Sequence, residues 1–233
     1  MRIGIIGAMN EEVELYISNL KKCKKIRYAK FDFYIGNFFG KEIVLVKSGI
    51  GKVNASACTQ ILINKFNISK VIFTGVAGAL NPILNPYEIV ISKDSVQHDI
   101  DITAFGRQRG EIPDEDSSIF KADKDLAETA YKIAKRENLK VTLGRVLTGD
   151  QFIQSKEKSK ELRRYFNGDC VDMETAAVAH VCKMNNMPYV AIRSISDKAD
   201  CSSNIDFDVF LHKAAEISYS LVKNILKEIK VAD

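Results

Sequence analysis

Asp172, Glu174, Ser196 and Asp197 are the polar residues at the two ends of a segment that is otherwise largely apolar. From Asp169 to Asp197 the chain reads D-C-V-D-M-E-T-A-A-V-A-H-V-C-K-M-N-N-M-P-Y-V-A-I-R-S-I-S-D. Ala177, Val181 and Met184 recur at helical spacing, Pro188 stops that helix, and Tyr189 to Ile195 has the β-rich character of a buried strand. Asp172 and Glu174 fall at the helix start, and Ser196 and Asp197 at the strand end. A helix N-terminus and a strand C-terminus are where α/β proteins gather ligand-facing groups. Carboxylates at both, with Arg193 inside the apolar strand, point to a polar site. The plainer reading is that Asp172 and Glu174 complement the helix dipole and that Asp197 caps the next turn. A second pair of acids, Glu11 and Glu12, follows the first apolar run, R-I-G-I-I-G. A phosphate binder would place bare amides and positive charge at that point. Each glutamate is either a solvated first-turn acid or a catalytic group.

These groups need elements to hold them. Arg2 to Gly7 reads as a short buried strand, followed by a helix carrying Val13, Ile17 and Leu20. Its glycines do not form the G-x-G-x-x-G dinucleotide fingerprint. Phe31 to Phe39 and Glu42 to Lys47 read as an antiparallel hairpin. The G-I-G-K of residues 49–52 lacks the first glycine and the spacing of a P-loop, so it reads as a tight strand-to-helix turn ahead of Val53, Ala57 and Ile61. Lys70 to Thr74 is a buried strand ending in Gly75-Val76-Ala77-Gly78, small residues that let a ligand lie against backbone. Tyr87 to Ser92 is the next strand. Asp94 to Asp116 is a long polar loop with Phe105 and Pro113 as apolar exceptions, and loops of that length are functional or oligomer-forming. Asp123 caps a helix carrying Leu126, Ala130 and Ile133. Arg145 to Thr148 is a strand, with Gly149-Asp150-Gln151-Phe152-Ile153 beyond it, and a final helix runs from about Phe207. This order of elements predicts an α/β fold: one three-layer domain over residues 1–233, a mixed β-sheet surrounded by α-helices.

Composition narrows the class. At 233 residues with 46% hydrophobic and 27% charged residues, the chain has the make-up of a soluble globular protein. Its net charge of +4 is too modest to demand a polyanionic partner. The apolar run at the start is broken by Gly4 and Gly7, unlike a signal peptide, and no window has the length of a membrane span. The five cysteines, Cys23, Cys58, Cys170, Cys182 and Cys201, lack C-x-x-C spacing and read as reduced thiols. The expected location is the cytoplasm, with no nucleic-acid or membrane partner. His98 lies beside Asp99 and Asp101, but a solvated loop accounts for it, and neither metal nor cofactor is expected. Two basic runs, Lys21 to Arg27 and Lys156 to Arg164, could form a polyanion-binding patch; they read more simply as solvated helix faces or loops.

Seven strings occur together, in order: G-I-I-G-A-M-x-E-E, K-S-G-I-G-K-V-N-A, T-G-x-A-G, H-D-x-D-x-T-A-F-G, G-D-x-F-I, V-D-M-E and I-S-D. In these the chain resembles the 5′-methylthioadenosine/S-adenosylhomocysteine nucleosidases of the nucleoside phosphorylase superfamily, over essentially its whole length. The resemblance implies hydrolysis of an N-ribosyl bond to adenine and a 5-thioribose product, in methionine salvage and S-adenosylhomocysteine disposal. Such a reaction passes through an oxocarbenium-like sugar. Adenine must be protonated at N7 to leave, and water must be activated on the opposite ribose face. The resemblance makes Asp197 the acid, its pKa raised by burial, and Glu12 the base. It makes Glu174 the ribose-hydroxyl acceptor with the Met173 backbone beside it, Phe152 the ring stacked on adenine and Ile153 the main-chain partner of the base edge. Val76, Ala77 and Gly78 line the site, Ser196 orients Asp197, and Arg193 stands near the carboxylates. Met9, Ile50 and Phe207 match the pocket for the thioether tail. Phe105 and Pro113 match positions donated by a neighbouring subunit, which implies a homodimer.

Two positions depart from the pattern: Val76 replaces a frequent serine, and Asp172 a more usual glutamate. The nearest rival is a nucleoside phosphorylase, which uses phosphate and carries a glycine-and-arginine loop after the first strand, where this chain has Glu11 and Glu12. A hydrolase for another adenine-linked substrate, such as aminodeoxyfutalosine, is a second rival, and a polyanion-binding surface protein a third.

Overall fold

A computed structural model describes residues 1–199 and 203–229, with backbone alone over 203–209. The first half runs β1 (Arg2–Gly7), α1 (Asn10–Asn19), β2 (Lys21–Tyr28), β3 (Phe31–Phe38), β4 (Lys41–Lys47) and α2 (Lys52–Phe66). It continues with β5 (Ile68–Ala79), β6 (Ile89–Gln97), a 3-10 turn at Thr103–Phe105 and β7 (Phe120–Lys121). The second half adds α3 (Lys124–Arg136), β8 (Val141–Thr148), α4 (Lys156–Phe166), β9 (Cys170–Asp172), α5 (Thr175–Met184), β10 (Tyr189–Asp197) and α6 (Ser203–Glu228).

Strands β1, β4, β5 and β10 run parallel, and their alternating residues supply two cores. Ile3, Ile5, Ile43, Leu45, Ile72, Val190 and Ile192 pack on one face with α1, α3 and α6. Ile6, Val44, Val46, Val71, Phe73 and Ala191 pack on the other with α2 and α5. A sheet buried on both faces must be apolar on both, as these strands are. The three-layer, mixed-sheet architecture expected of the sequence is the one found.

The sheet is not simply open. β5 pairs with β10 and also with β9; β10 pairs β6, β6 pairs β8, and β8 pairs β9. Five strands thereby close a ring, from which β1, β4, β3 and β2 extend as an open wing. Closure depends on the length of β5, which pairs with β10 from Val71 through Gly78. The strand expected to end at Thr74 therefore continues through Gly75-Val76-Ala77-Gly78, because β10 and β9 hydrogen-bond to that run.

Two further expectations need correction, those for the first basic run and for His98. The basic run Lys21 to Arg27 is neither helix face nor loop but edge strand β2, paired antiparallel to β3. Lysines on an edge strand keep another chain from adding to it. The second run is a helix, α4, capped by Ser155, whose Oγ accepts from Lys158 N at 3.2 Å. His98 is not in a solvated loop: it is fully buried where β6 ends, with its N donating to Thr148 O at 2.9 Å. Burial pushes its imidazole down to about 4, so the ring is neutral at physiological pH. Among the described residues no helix is long and apolar enough to cross a membrane, and no group of side chains could hold a metal ion.

Candidate active site

Glu12 sits in the first turn of α1, where an acidic residue complements the helix dipole. Its Oε2 accepts from Ala8 N at 2.6 Å and Met9 N at 3.0 Å, a capping contact back to the helix start. Its Oε1 reaches across to β5 and accepts from Val76 N at 2.9 Å. The carboxylate thus takes three backbone amides and is buried. Burial raises its pKa, opposed by the nearby Arg193 guanidinium and by the three amides. Glu11, its neighbour, makes none of these contacts.

On the other flank of β5, β10 ends at Asp197, paired with Gly78. Asp197 is buried; its Oδ1 accepts from Ser196 Oγ and its Oδ2 from Ala199 N, both at 2.8 Å. Glu12, from the first turn of α1, and Asp197, from the end of β10, therefore approach residues 76–78 of β5 from its two sides. The absence of a side chain at two positions permits this. A Cβ on Gly78 would stand 3.1 Å from Asp197 Oδ2, and one on Gly75 would collide with Glu12 Oε1 and Arg193 Nη1.

Arg193 is almost fully buried inside β10. Its Nη2 pairs with Asp172 Oδ2 at 2.8 Å, and its Nε and Nη2 donate to Thr175 Oγ1 at 3.0 and 2.9 Å. The guanidinium lies 3.8 Å from the Phe73 ring centroid, a cation–π contact closing its other face. Asp172 belongs to β9 rather than to the helix; it caps α5 by accepting from Glu174 N at 3.2 Å and Thr175 N at 3.1 Å. Its carboxylate thus both accepts from amides at the start of α5 and pairs with Arg193. Glu174 is buried at the start of α5, and its Oε1 accepts from Gly51 N at 2.8 Å. Burial, reinforced by the charge of Asp172, pushes it up to about 8, with Arg193 and the Gly51 amide pulling the other way.

Two loops close the cleft. Lys52 Nζ pairs with Asp99 Oδ1 at 2.7 Å, Asp99 Oδ2 accepts from Asp150 N at 2.9 Å, and Asp150 Oδ1 accepts from Lys52 N at 2.8 Å. This triangle ties the turn bearing Ile50 to the turn bearing Phe152. Both side chains stand about half exposed at the mouth of the cleft, while Ile153 is buried behind them.

One cavity gathers Met9, Glu12, Ile50, Val76, Ala77, Gly78, Phe152, Ile153, Met173, Glu174, Ser196 and Asp197, every one anticipated from sequence. Arg193 does not line it but stands behind Glu12 and Asp172. Phe105 and Pro113 are exposed and do not line the cavity of their own chain. The Phe207 side chain lies outside the described residues. Ala8, Gln151, Val171 and Asp172 also line the cavity and were not named as site residues. Ala8, Val171 and Asp172 stood inside the quoted strings, and Asp172 was already read as part of a polar site; Gln151 falls at the unspecified position of G-D-x-F-I and carried no signal. Thr175 and Phe73, which hold Arg193, could not be paired with it before the fold was known.

The ring-closed sheet with helices on both faces, and a cleft of buried carboxylates at the strand ends, define an enzyme acting on a small ligand. The Phosphorylase superfamily model matches residues 2–227. The 5′-methylthioadenosine/S-adenosylhomocysteine nucleosidase of Bacillus cytotoxicus is 42% identical over 232 residues, 99% of this chain and all of that one. The Neisseria meningitidis enzyme of the same name, solved with methylthio-immucillin-A, superposes with a TM-score of 0.94 at 38% identity, over 98% of this chain and 99% of that one. The futalosine hydrolase of Helicobacter pylori superposes with a TM-score of 0.94 at 35% identity, over 98% of each chain. The chain belongs to the phosphorylase superfamily and, within it, to the 5′-methylthioadenosine/S-adenosylhomocysteine nucleosidase family.

Proposed function

We propose that the protein hydrolyses the N-ribosyl bond of 5′-methylthioadenosine and S-adenosylhomocysteine, with Asp197 as general acid on adenine N7 and Glu12 as general base on water. The observation that carries this reading is the set of amides held by Glu12. A phosphorolytic enzyme must seat a dianion beside the ribose, and free backbone N–H groups are the means. In this cleft Ala8 N, Met9 N and Val76 N are already taken by a carboxylate. The neighbouring cation, Arg193, is held by Asp172. Two unit charges about 4 Å apart at an effective dielectric of about 20 interact by about 4 kcal/mol, so phosphate beside ionised Glu12 is disfavoured by several hundred-fold, on that order. Water meets no such repulsion and gains a base.

The remaining groups fit the same chemistry. Phe152 and Ile153 offer a ring face and main-chain partners to the base, and Ser196 orients Asp197. Glu174, with the Met173 backbone beside it, takes the ribose hydroxyls. Because burial pushes its pKa up to about 8, positive charge developing on the sugar favours its ionised form. Its stabilisation therefore grows as the bond breaks. Met9, Ile50 and Phe207 receive the thioether tail, and Phe105 and Pro113 complete that pocket from the second subunit of a homodimer.

The likeness to futalosine hydrolase makes an adenine-linked futalosine derivative the second candidate substrate. Purified protein offered each substrate, with and without phosphate, tests both readings. The expected outcome is adenine release independent of phosphate, fastest from methylthioadenosine or S-adenosylhomocysteine, with free 5-methylthioribose from the former. Methylthioribose 1-phosphate as the main product would overturn hydrolysis, and exclusive turnover of the futalosine derivative would overturn the substrate.

A further inference from the structure

The basic helix α4 has two unlike sides. On one flank Lys158 pairs with Glu161 at 3.1 Å, and Glu161 also pairs with Arg109. On the other, Lys156, Lys160, Arg163 and Arg164 face a concavity of about 310 Å³, into which Lys198 projects from just beyond β10. Among the described residues no acidic side chain lines it. Arg163 is fixed by Gly168 O and Asp169 Oδ1, both at 2.9 Å. Lys156, Lys160, Arg164 and Lys198 have no carboxylate within ion-pairing distance among the described residues.

This arrangement works against the fold. Lys156 and Lys160, and then Lys160 and Arg164, are successive i,i+4 like-charge pairs, which destabilise a helix. Lys198 adds another positive charge from a separate element. A concave surface lined by one sign of charge focuses the potential and concentrates counter-ions. The walls are also held: Asp169 accepts from Asn81 Nδ2 at 3.0 Å and Arg145 N at 2.9 Å, while its O accepts from Leu80 N and Asn81 N.

We propose that this concavity is a binding site for a small oligophosphate, separate from the catalytic cleft, with which it shares no lining residue. Its extent sets the size of the ligand. From Lys156 to Arg164 the helix rises about 12 Å, at 1.5 Å per residue, enough for a di- or triphosphate. The row Lys156, Lys160 and Arg164 is only about 12 Å long and Lys198 lines the same hollow, a shorter track than an extended nucleic-acid strand would follow. Lys198 directly follows Asp197, and Ala199 N is bound to the Asp197 carboxylate, so the site borders the segment that carries the candidate acid.

The test is calorimetric titration of the whole protein with inorganic triphosphate at low ionic strength, with ATP and a single-stranded RNA oligonucleotide as parallel arms. Saturable one-to-one binding that weakens as salt is raised is expected. Equal affinity for ATP and triphosphate would show that phosphates alone are read, and tighter ATP binding that the nucleoside is reached as well. Lys160→Gln combined with Arg164→Gln should weaken binding by about tenfold or more while nucleosidase activity in the absence of triphosphate is unchanged. Lys158→Gln, on the opposite flank, should bind as the parent does. The proposal is overturned by the absence of saturable binding, by equal losses in the Lys158→Gln control, or by RNA binding much more tightly than triphosphate.

Discussion

Asp197 and Glu174 are both buried carboxylates, yet substitution should separate them. In Asp197→Asn, the amide oxygen can still accept from Ala199 N and its Nδ2 can donate to Ser196 Oγ, so the local fold is kept. What is lost is the proton for adenine N7. Single-turnover adenine release should fall by at least ~100-fold with adenine binding little changed. Turnover within a few-fold of the parent would make Asp197 a structural residue. Glu174→Gln should lose activity but gain stability. With an unfolded-state pKa near the ordinary 4.5 and a folded value of about 8, the chain takes up a proton at this residue on folding between those pH values. Its stability must therefore fall as pH rises through that window. The glutamine variant lacks that loss, so its melting temperature should exceed the parent's by more at pH 8 than at pH 5.5, in thermal scans without substrate. A difference independent of pH would show that Glu174 is already ionised in the folded cleft. The carboxylates were legible in sequence because they bracket an otherwise apolar helix and strand, at the two places where α/β proteins gather ligand-facing groups. The partners that tune them, Thr175 and Phe73 around Arg193, were not, since nothing local links residue 73 to residue 193.

Strand β5 shows what a local reading of elements misses. Gly75-Val76-Ala77-Gly78 has the composition of a turn, and small residues after an apolar run usually end a strand. Glycine within a strand also marks the close approach of another group. At Gly75 that group is the Glu12 carboxylate together with Arg193. Gly75→Ala should therefore push apart the base and the arginine beside it. Turnover should drop by about 100-fold, since small misplacements of reacting groups cost that much. Overpacking should lower stability by about 1–3 kcal/mol. Steady-state assays and denaturant titration would check both, and an alanine variant with parental turnover would show that the contact is slack. The hairpin, the buried strands and the Asp123-capped helix were legible because each carries its own period or cap. β7 and β9, of two and three residues, are too short to show any period. β2 faces solvent along its first five residues, so it has no buried side against which to alternate.

At the scale of the whole molecule, several large apolar side chains stand exposed. Phe105 is 84% exposed and Val53 79%, with Ile50 and Phe152 half exposed at the mouth of the cleft. Apolar residues in such positions are what a symmetric partner would cover. Sedimentation at assay concentration should find a dimer, and specific activity should fall as dilution populates the monomer; a fully active monomer would remove Phe105 and Pro113 from the pocket. The carboxylate seated on Ala8 N, Met9 N and Val76 N has a consequence at this scale as well. A phosphorolytic enzyme breaks the C1′–N bond but keeps much of its free energy in the C1′–O bond of a sugar 1-phosphate, and can be driven backwards, rebuilding a nucleoside when base and ester accumulate. By carrying its own resident anion, this chain gives up that return path. Adenine would leave as a one-way flow, set by the supply of thionucleoside and deaf to the phosphate level of the cell.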